Sequence, residues 1–165
     1  MKEKYFVSAQ MPFTVEFYDV DTMGVVWHGN YIKYMEAVRC VLLDKIGYGY
    51  KVMMKEGFAF PVTSLNVKYV RSLEFGEKAL IKAYLLEYKD KVRIAYEIFN
   101  EEGKLCVKSE TSQFAVKWET RETQFETPAL FVERVEQCVA GENNAGAGGE
   151  AGSGHSEGAA DKSGK

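Results

Sequence analysis

Three cysteines, three prolines and two histidines are all that this 165-residue chain contains of those residue types. Cys40, Cys106 and Cys138 are odd in number and far apart. That excludes a disulfide framework and the paired spacing of a zinc site, and the three read as buried or idle thiols. No apolar run approaches the ~20 residues a membrane helix needs. Near the N-terminus only Tyr5-Phe6-Val7 is apolar, short of the roughly 7–15 residues of a secretory signal. The expectation is a cytoplasmic protein without a membrane span. A basic excess is missing too: 21 Lys and Arg stand against 24 Asp and Glu, a net charge of −3. This argues against a nucleic-acid partner held by bulk charge.

Aromatic residues are plentiful, and all ten Phe, ten Tyr and two Trp lie at or before Phe131. The core must therefore come from the first four-fifths of the chain. Composition changes at Ala140, beyond which there is no aromatic, Ile, Leu or Met. Such a segment buries too little apolar surface to offset the entropy of ordering it. The reading is one folded domain over 1–139 and a flexible Gly/Ala-rich tail over 140–165, which carries the solvated His155.

Within the body, Phe13, Val15 and Phe17 alternate as in a half-buried strand. After a loop, Asn30 is placed to cap a helix. Tyr31, Tyr34, Met35, Val38, Val41, Leu42 and Ile46 then fall on one helical stripe, with Lys33, Glu36, Arg39, Asp44 and Lys45 mostly opposite and Gly47 to end it. A short helix fits Tyr48 to Glu56. Strand patterns follow at Leu65–Val70, Ala79–Tyr88, Val92–Ile98 and Leu105–Trp118, and a last amphipathic helix fits Pro128–Val139. The economical packing is α+β, an antiparallel five-stranded sheet wrapped around one long central helix. Its unpaired edge points to a homodimer or homotetramer.

The segment Asp19-Val20-Asp21-Thr22-Met23-Gly24-Val25-Val26-Trp27-His28-Gly29-Asn30-Tyr31 is the most unusual stretch. Two carboxylates, two glycines and the one His of the body directly precede the long helix. The first N–H groups of a helix lack internal partners and carry the positive end of its dipole. A carbonyl oxygen that gains negative charge is stabilised there, and a nearby carboxylate can attack it or deprotonate a water. The same spacing also suits a plain turn in which an Asp bonds backbone N–H groups, with His28 an ordinary loop residue.

The run Asp19-x-Asp21-x-x-Gly24-x-Val26-x-His28-x-Asn30-Tyr31, with Glu36-x-x-Arg39 after it, resembles the hot-dog acyl-CoA thioesterases. It is similar to the 4-hydroxybenzoyl-CoA thioesterase family and its Tol-Pal-associated relatives. The resemblance spans roughly residues 10 to 120 and continues, more loosely, through Tyr69-Val70-Arg71-Ser72 and Gly76-Glu77. It implies a hot-dog fold and hydrolysis of an acyl-CoA thioester to a free acid and CoA, with no metal and no organic cofactor. By the same resemblance Asp21 is the catalytic carboxylate, as nucleophile or as general base. The backbone N–H at His28 polarises the thioester carbonyl, with assistance from its side chain. Gly24 and Val25 belong to the substrate-facing loop, and Ser72 matches a hydroxyl near the site. Lys89 and Lys91 match residues that touch the CoA phosphates, although Asp90 interrupts that basic run. Asp19 matches a supporting residue of the turn, and Trp27 stands where tyrosine is common.

Plainer roles stand beside these. Lys89 and Lys91 flank a hairpin and could be solvated, Glu36 and Arg39 could simply pair, and the stripe from Tyr31 to Val38 could be core rather than acyl pocket. Two other activities fit the same residues. One is a hot-dog hydratase or dehydratase that pairs His28 with a carboxylate, and the other is a non-catalytic acyl-CoA binding module.

Overall fold

The computed structural model describes residues 4–147. Its elements are β1 (Val7–Thr14), α1 (Asn30–Ile46), α2 (Tyr50–Lys55), β2 (Phe58–Ala59), β3 (Val62–Tyr69), β4 (Lys78–Glu87), β5 (Val92–Asn100), β6 (Leu105–Gln113), β7 (Val116–Lys117) and α3 (Ala129–Ala147). Five strands form one antiparallel sheet in the order β1-β4-β5-β6-β3, and β2 and β7 make a short separate ribbon. The α+β hot-dog arrangement expected from the sequence is what the chain adopts.

Alternation builds the sheet. Ala79, Ile81, Ala83 and Leu85 of β4 are buried, as are Val92, Ile94, Tyr96 and Ile98 of β5. These positions face one side of the pleat. Tyr31, Met35, Val38, Leu42 and Ile46 of α1 are buried in the same core. Each large side chain so covered contributes roughly 1.5–3 kcal/mol. Gly47, at φ 77°, ends α1 in a left-handed turn that returns its N–H to Asp44 and the next one, of Tyr48, to Leu43.

Several boundaries differ from the sequence reading. The first strand ends at Thr14, and Phe17 is 78% exposed. Val15 N–H still bonds Glu77 C=O, but Glu16 N–H turns to the Asp19 carboxylate and begins a tight 3₁₀ turn over Phe17–Asp19. A local carboxylate thus outcompetes the sheet ladder for the backbone. Strand β6 stops at Gln113, and the chain then bends so that β7 pairs with β2. Helix α3 runs on to Ala147, past the composition change at Ala140, and Glu142 within it pairs with Lys45 of α1 at 2.5 Å. The expected tail from 148 onward lies outside the described residues.

Arg39 also departs from expectation. It is 7% exposed, buried between α1 and β6. Its Nη1 donates to Gln113 Oε1 at 2.7 Å, while Nη2 donates to Glu36 Oε2 at 2.7 Å and to the Tyr50 hydroxyl at 2.5 Å. The i,i+3 pair with Glu36 suggested by the sequence is therefore one arm of a larger network tying α1, α2 and β6 together. Gln113 is 2% exposed, so neither it nor the guanidinium has water to fall back on.

Replacing Gln113 by Leu removes the acceptor of a buried charged donor. It should lower unfolding free energy by about 1.5–3 kcal/mol, read from the urea midpoint. Alkaline pH should act through buried phenols. Burial pushes the Tyr96 and Tyr48 hydroxyls up to about 12, whereas in the unfolded chain they ionise near 10. The folded state favours the neutral phenol, so this stability is complete below pH 10 and is lost as pH rises towards 12. Melting temperatures across that interval check it.

Candidate active site

The loop between β1 and α1 is a small hairpin held by its own backbone. Val20 and Val26 pair, Asp21 N–H bonds Val25 C=O at 2.9 Å, and Gly24 N–H bonds Asp21 C=O at 3.0 Å. Gly24 takes φ 76°, a left-handed conformation that costs glycine least. Val25 pairs outward with Glu74, Val26 N–H bonds Leu73 C=O, and Phe75 N–H bonds Gly24 C=O. The segment after β3, with Ser72 in it, is thereby laid against the loop.

The two aspartates have opposite environments. Asp19 is 5% exposed, and its carboxylate accepts Glu16 N–H at 3.0 Å. Its carbonyl accepts two bonds, from Trp27 N–H at 2.9 Å and from Asn30 Nδ2 at 2.9 Å. The buried Tyr34 hydroxyl lies close to Asp19 but makes no hydrogen bond among the described residues. Burial first, then this carboxylate, holds its pKa well above the ordinary tyrosine range. Asp21 is exposed at the hairpin, where its Oδ1 accepts Met23 N–H at 2.8 Å. The plain-turn geometry and a solvent-facing carboxylate therefore coexist in one residue.

Asn30 does not cap α1. The cap position is Gly29, and Asn30 opens the helix with its side chain bonded to Asp19. The first turn of α1 contains no acidic residue to neutralise its positive end. Trp27 N–H is committed to Asp19 and Asn30 N–H to Trp27 C=O, whereas the N–H groups of His28 and Gly29 meet no acceptor among the described residues. The exposed His28 ring lies between those of Trp27, at 4.9 Å, and Tyr69, at 6.4 Å. Tyr31 is buried, and its hydroxyl accepts Leu73 N–H at 3.1 Å.

Asp21, Gly24, Val25, His28 and the segment carrying Ser72 thus gather at one end of the sheet, while Lys89 and Lys91 do not join them. They flank the β4–β5 turn, at the opposite end of the ten residues of β4, about 30 Å away at 3.3 Å per residue. There Lys89 lies 3.8 Å from Glu136 of α3, and its carbonyl accepts Thr127 N–H. The anchoring parts played by Tyr69, Tyr31 and the Asn30 amide were not visible in the sequence. Tyr31 and Asn30 stood there as members of a stripe and as a cap, and no spacing rule pairs Tyr69 with His28 across 41 positions.

No helix among the described residues is long and apolar enough to cross a membrane. Residues 15–136 match the family profile described as the thioesterase-like superfamily. A Bacillus subtilis (strain 168) protein, YneP, named provisionally as an acyl-CoA thioesterase, is 34% identical over 107 residues, 64% of this chain and 78% of its own length. A Synechocystis sp. protein named provisionally as an esterase is 32% identical over 117 residues, 69% of this chain and 68% of its own. Among solved structures, the DHNA-CoA thioesterase of Staphylococcus aureus superposes with a TM-score of 0.73 at 30% identity, covering 84% of this chain and 95% of that one. The family match spans strands β3 to β6 of the sheet, the central helix and the whole loop, and by it the chain belongs to the thioesterase-like superfamily.

Proposed function

We propose that this protein hydrolyses an acyl-CoA thioester at the loop before α1. The observation that carries the reading is a solvent-facing carboxylate, Asp21, on the same short loop as two uncommitted N–H groups at the start of α1. A thioester carbonyl directed at those N–H groups would be polarised, and its oxygen would be stabilised as it became negative. Asp21 would attack the carbonyl carbon or take a proton from the water that does. Collapse of the tetrahedral adduct then breaks the C–S bond and releases CoA thiolate: on the base route the free acid leaves and Asp21 returns its proton to the sulfur, and on the nucleophile route water then cleaves the acyl–Asp21 anhydride to the free acid and the carboxylate. The relatives named for acyl-CoA and DHNA-CoA hydrolysis support the reaction class.

Two copies make this site complete. Strand β3 is an edge of the sheet, with Val62, Leu65 and Tyr69 exposed along it. It runs from the β4–β5 turn end, where Val62 pairs with Gln113, to the loop end, where the Tyr69 hydroxyl reaches His28. Antiparallel pairing of β3 with the β3 of a second copy therefore sets each copy's turn end beside the other's loop end. Lys89 and Lys91 of one chain would meet the phosphates of an elongated CoA whose thioester lies at the loop of the other.

Asp21→Asn keeps the acceptor for Met23 N–H and removes the charge. Turnover should fall about 10²–10⁴-fold with the melting temperature unchanged. Asp19→Asn is the control: it disturbs a buried carboxylate, so it should cost stability more than turnover. Reversal of that pattern, with Asp21→Asn fully active, would move the chemistry away from Asp21. Light scattering at micromolar concentration should give a dimer or larger, and charge reversal of Lys89 and Lys91 to Glu should raise KM more than it lowers kcat. A monomer that turns over, or an unmoved KM, would remove the second copy's lysines from the site.

A further inference from the structure

Tyr69 stands at the end of β3, 41 residues beyond His28, and its hydroxyl donates to the His28 carbonyl at 3.0 Å. Its ring also meets the His28 ring at 6.4 Å and the Tyr31 ring at 5.6 Å. The bond fixes more than a carbonyl. A trans peptide is planar, with its C=O and the following N–H pointing opposite ways. Holding the His28 oxygen on the Tyr69 side therefore directs the Gly29 N–H away from Tyr69. The preceding peptide is held in the same manner, because Trp27 C=O accepts Asn30 N–H at 2.8 Å, which directs the His28 N–H.

The Trp27 C=O to Asn30 N–H bond closes a four-residue turn with His28 and Gly29 at its centre, and Gly29, at φ −70° and ψ −25°, gives it the type I form; that form puts His28 in the helical region too, so the His28 and Gly29 N–H groups point the same way along the start of α1. Neither has an acceptor among the described residues. Gly29 also sits under the Trp27 ring so closely that an added Cβ would lie 2.1 Å from a ring carbon. A larger residue would require the indole to move.

We propose that Tyr69 is a positioning residue for the hydrolysis: by holding the His28 carbonyl it sets the Gly29 N–H as a second donor to the oxyanion, beside the His28 N–H. The inference rests on the thioesterase reading given above. Tyr69 itself touches neither the substrate nor the reacting atoms, and it exchanges no proton in the reaction. Its effect appears in the transition state, where the oxygen carries the charge that the second donor stabilises. Substrate binding in the ground state gains little from it.

The test is Tyr69→Phe, which keeps the ring contacts and removes only the hydroxyl. Expected is a fall in kcat of about three- to tenfold, the range of one net hydrogen bond, and well below the 10²–10³-fold of a deleted oxyanion donor. KM, the Kd for a non-hydrolysable thioether analogue of the substrate, and the melting temperature should all stay near the wild-type values. In the ¹⁵N–¹H spectrum the Gly29 amide should shift while that of Leu73 does not. Unchanged kcat in an active enzyme, an unmoved Gly29 resonance, or a loss carried wholly by KM would each overturn the proposal. A wild-type chain that releases no thiol from any acyl-CoA would instead overturn the thioesterase reading itself. The Gly29 resonance of Tyr69→Phe reports on the backbone in either event.

Discussion

The Asp19 carbonyl is the point from which the loop end of the molecule is organised. One oxygen accepts the Trp27 N–H and the Asn30 amide, both at 2.9 Å, and so closes the chain from β1 onto the first residue of α1. Both bonds are internal to a region that water hardly reaches, since Asp19 and Asn30 are each 5% exposed. Unmaking either would leave a buried polar group unpaired, at about 1–3 kcal/mol. With that carbonyl occupied, residues 21–25 are forced outward as a hairpin, and Asp21 is carried into solvent. The same closure commits the Trp27 N–H and leaves those of His28 and Gly29 open. Exposure of the acid and availability of the donors thus follow from one backbone arrangement.

The rest of the fold protects that arrangement by rigidity. Beneath the loop, Tyr31 is locked into the core and its hydroxyl pins Leu73. The chain after β3 is thereby held to the helix that the loop precedes. Further along α1, the buried Arg39 network joins the helix to α2 and to β6. A charged group in that place is costly on its own and tolerable only when its hydrogen bonds are made. Its value is that the helix cannot rotate or slide without breaking them, which keeps the helix start in register with the sheet.

Much of this was legible in the sequence, for identifiable reasons. The central helix and the strands β4 and β5 announced themselves because their apolar periods of 3.6 and 2 are long and uninterrupted. The loop announced itself because two carboxylates, two glycines and a histidine rarely crowd before a helix. What was not legible depended on partners distant in sequence. Arg39 reads as a surface residue until Gln113, 74 positions away, is brought to it. Phe13, Val15 and Phe17 alternate like a strand, yet the Asp19 carboxylate three residues beyond Glu16 takes the backbone first. The composition change at Ala140 marks where apolar residues run out, but helix α3 continues to Ala147 with Glu142 reaching Lys45. Separation of Lys89 and Lys91 from the loop is a matter of strand direction, which no local pattern encodes.

In the proposed reaction the groups at the start of α1 cleave a carbon–sulfur bond and not a carbon–oxygen or carbon–hydrogen bond. The most direct measurement follows two signals in one cuvette as the purified wild-type chain meets a panel of acyl-CoAs of different chain length and aromaticity. One signal is free thiol, captured by a disulfide reagent, and the other is absorbance of an α,β-unsaturated thioester. Thioester hydrolysis requires release of one thiol for each substrate consumed, saturating with substrate, and no change in the unsaturated signal. Absorbance change without thiol would make the protein a hydratase, and saturable binding without either signal would leave it a binding module.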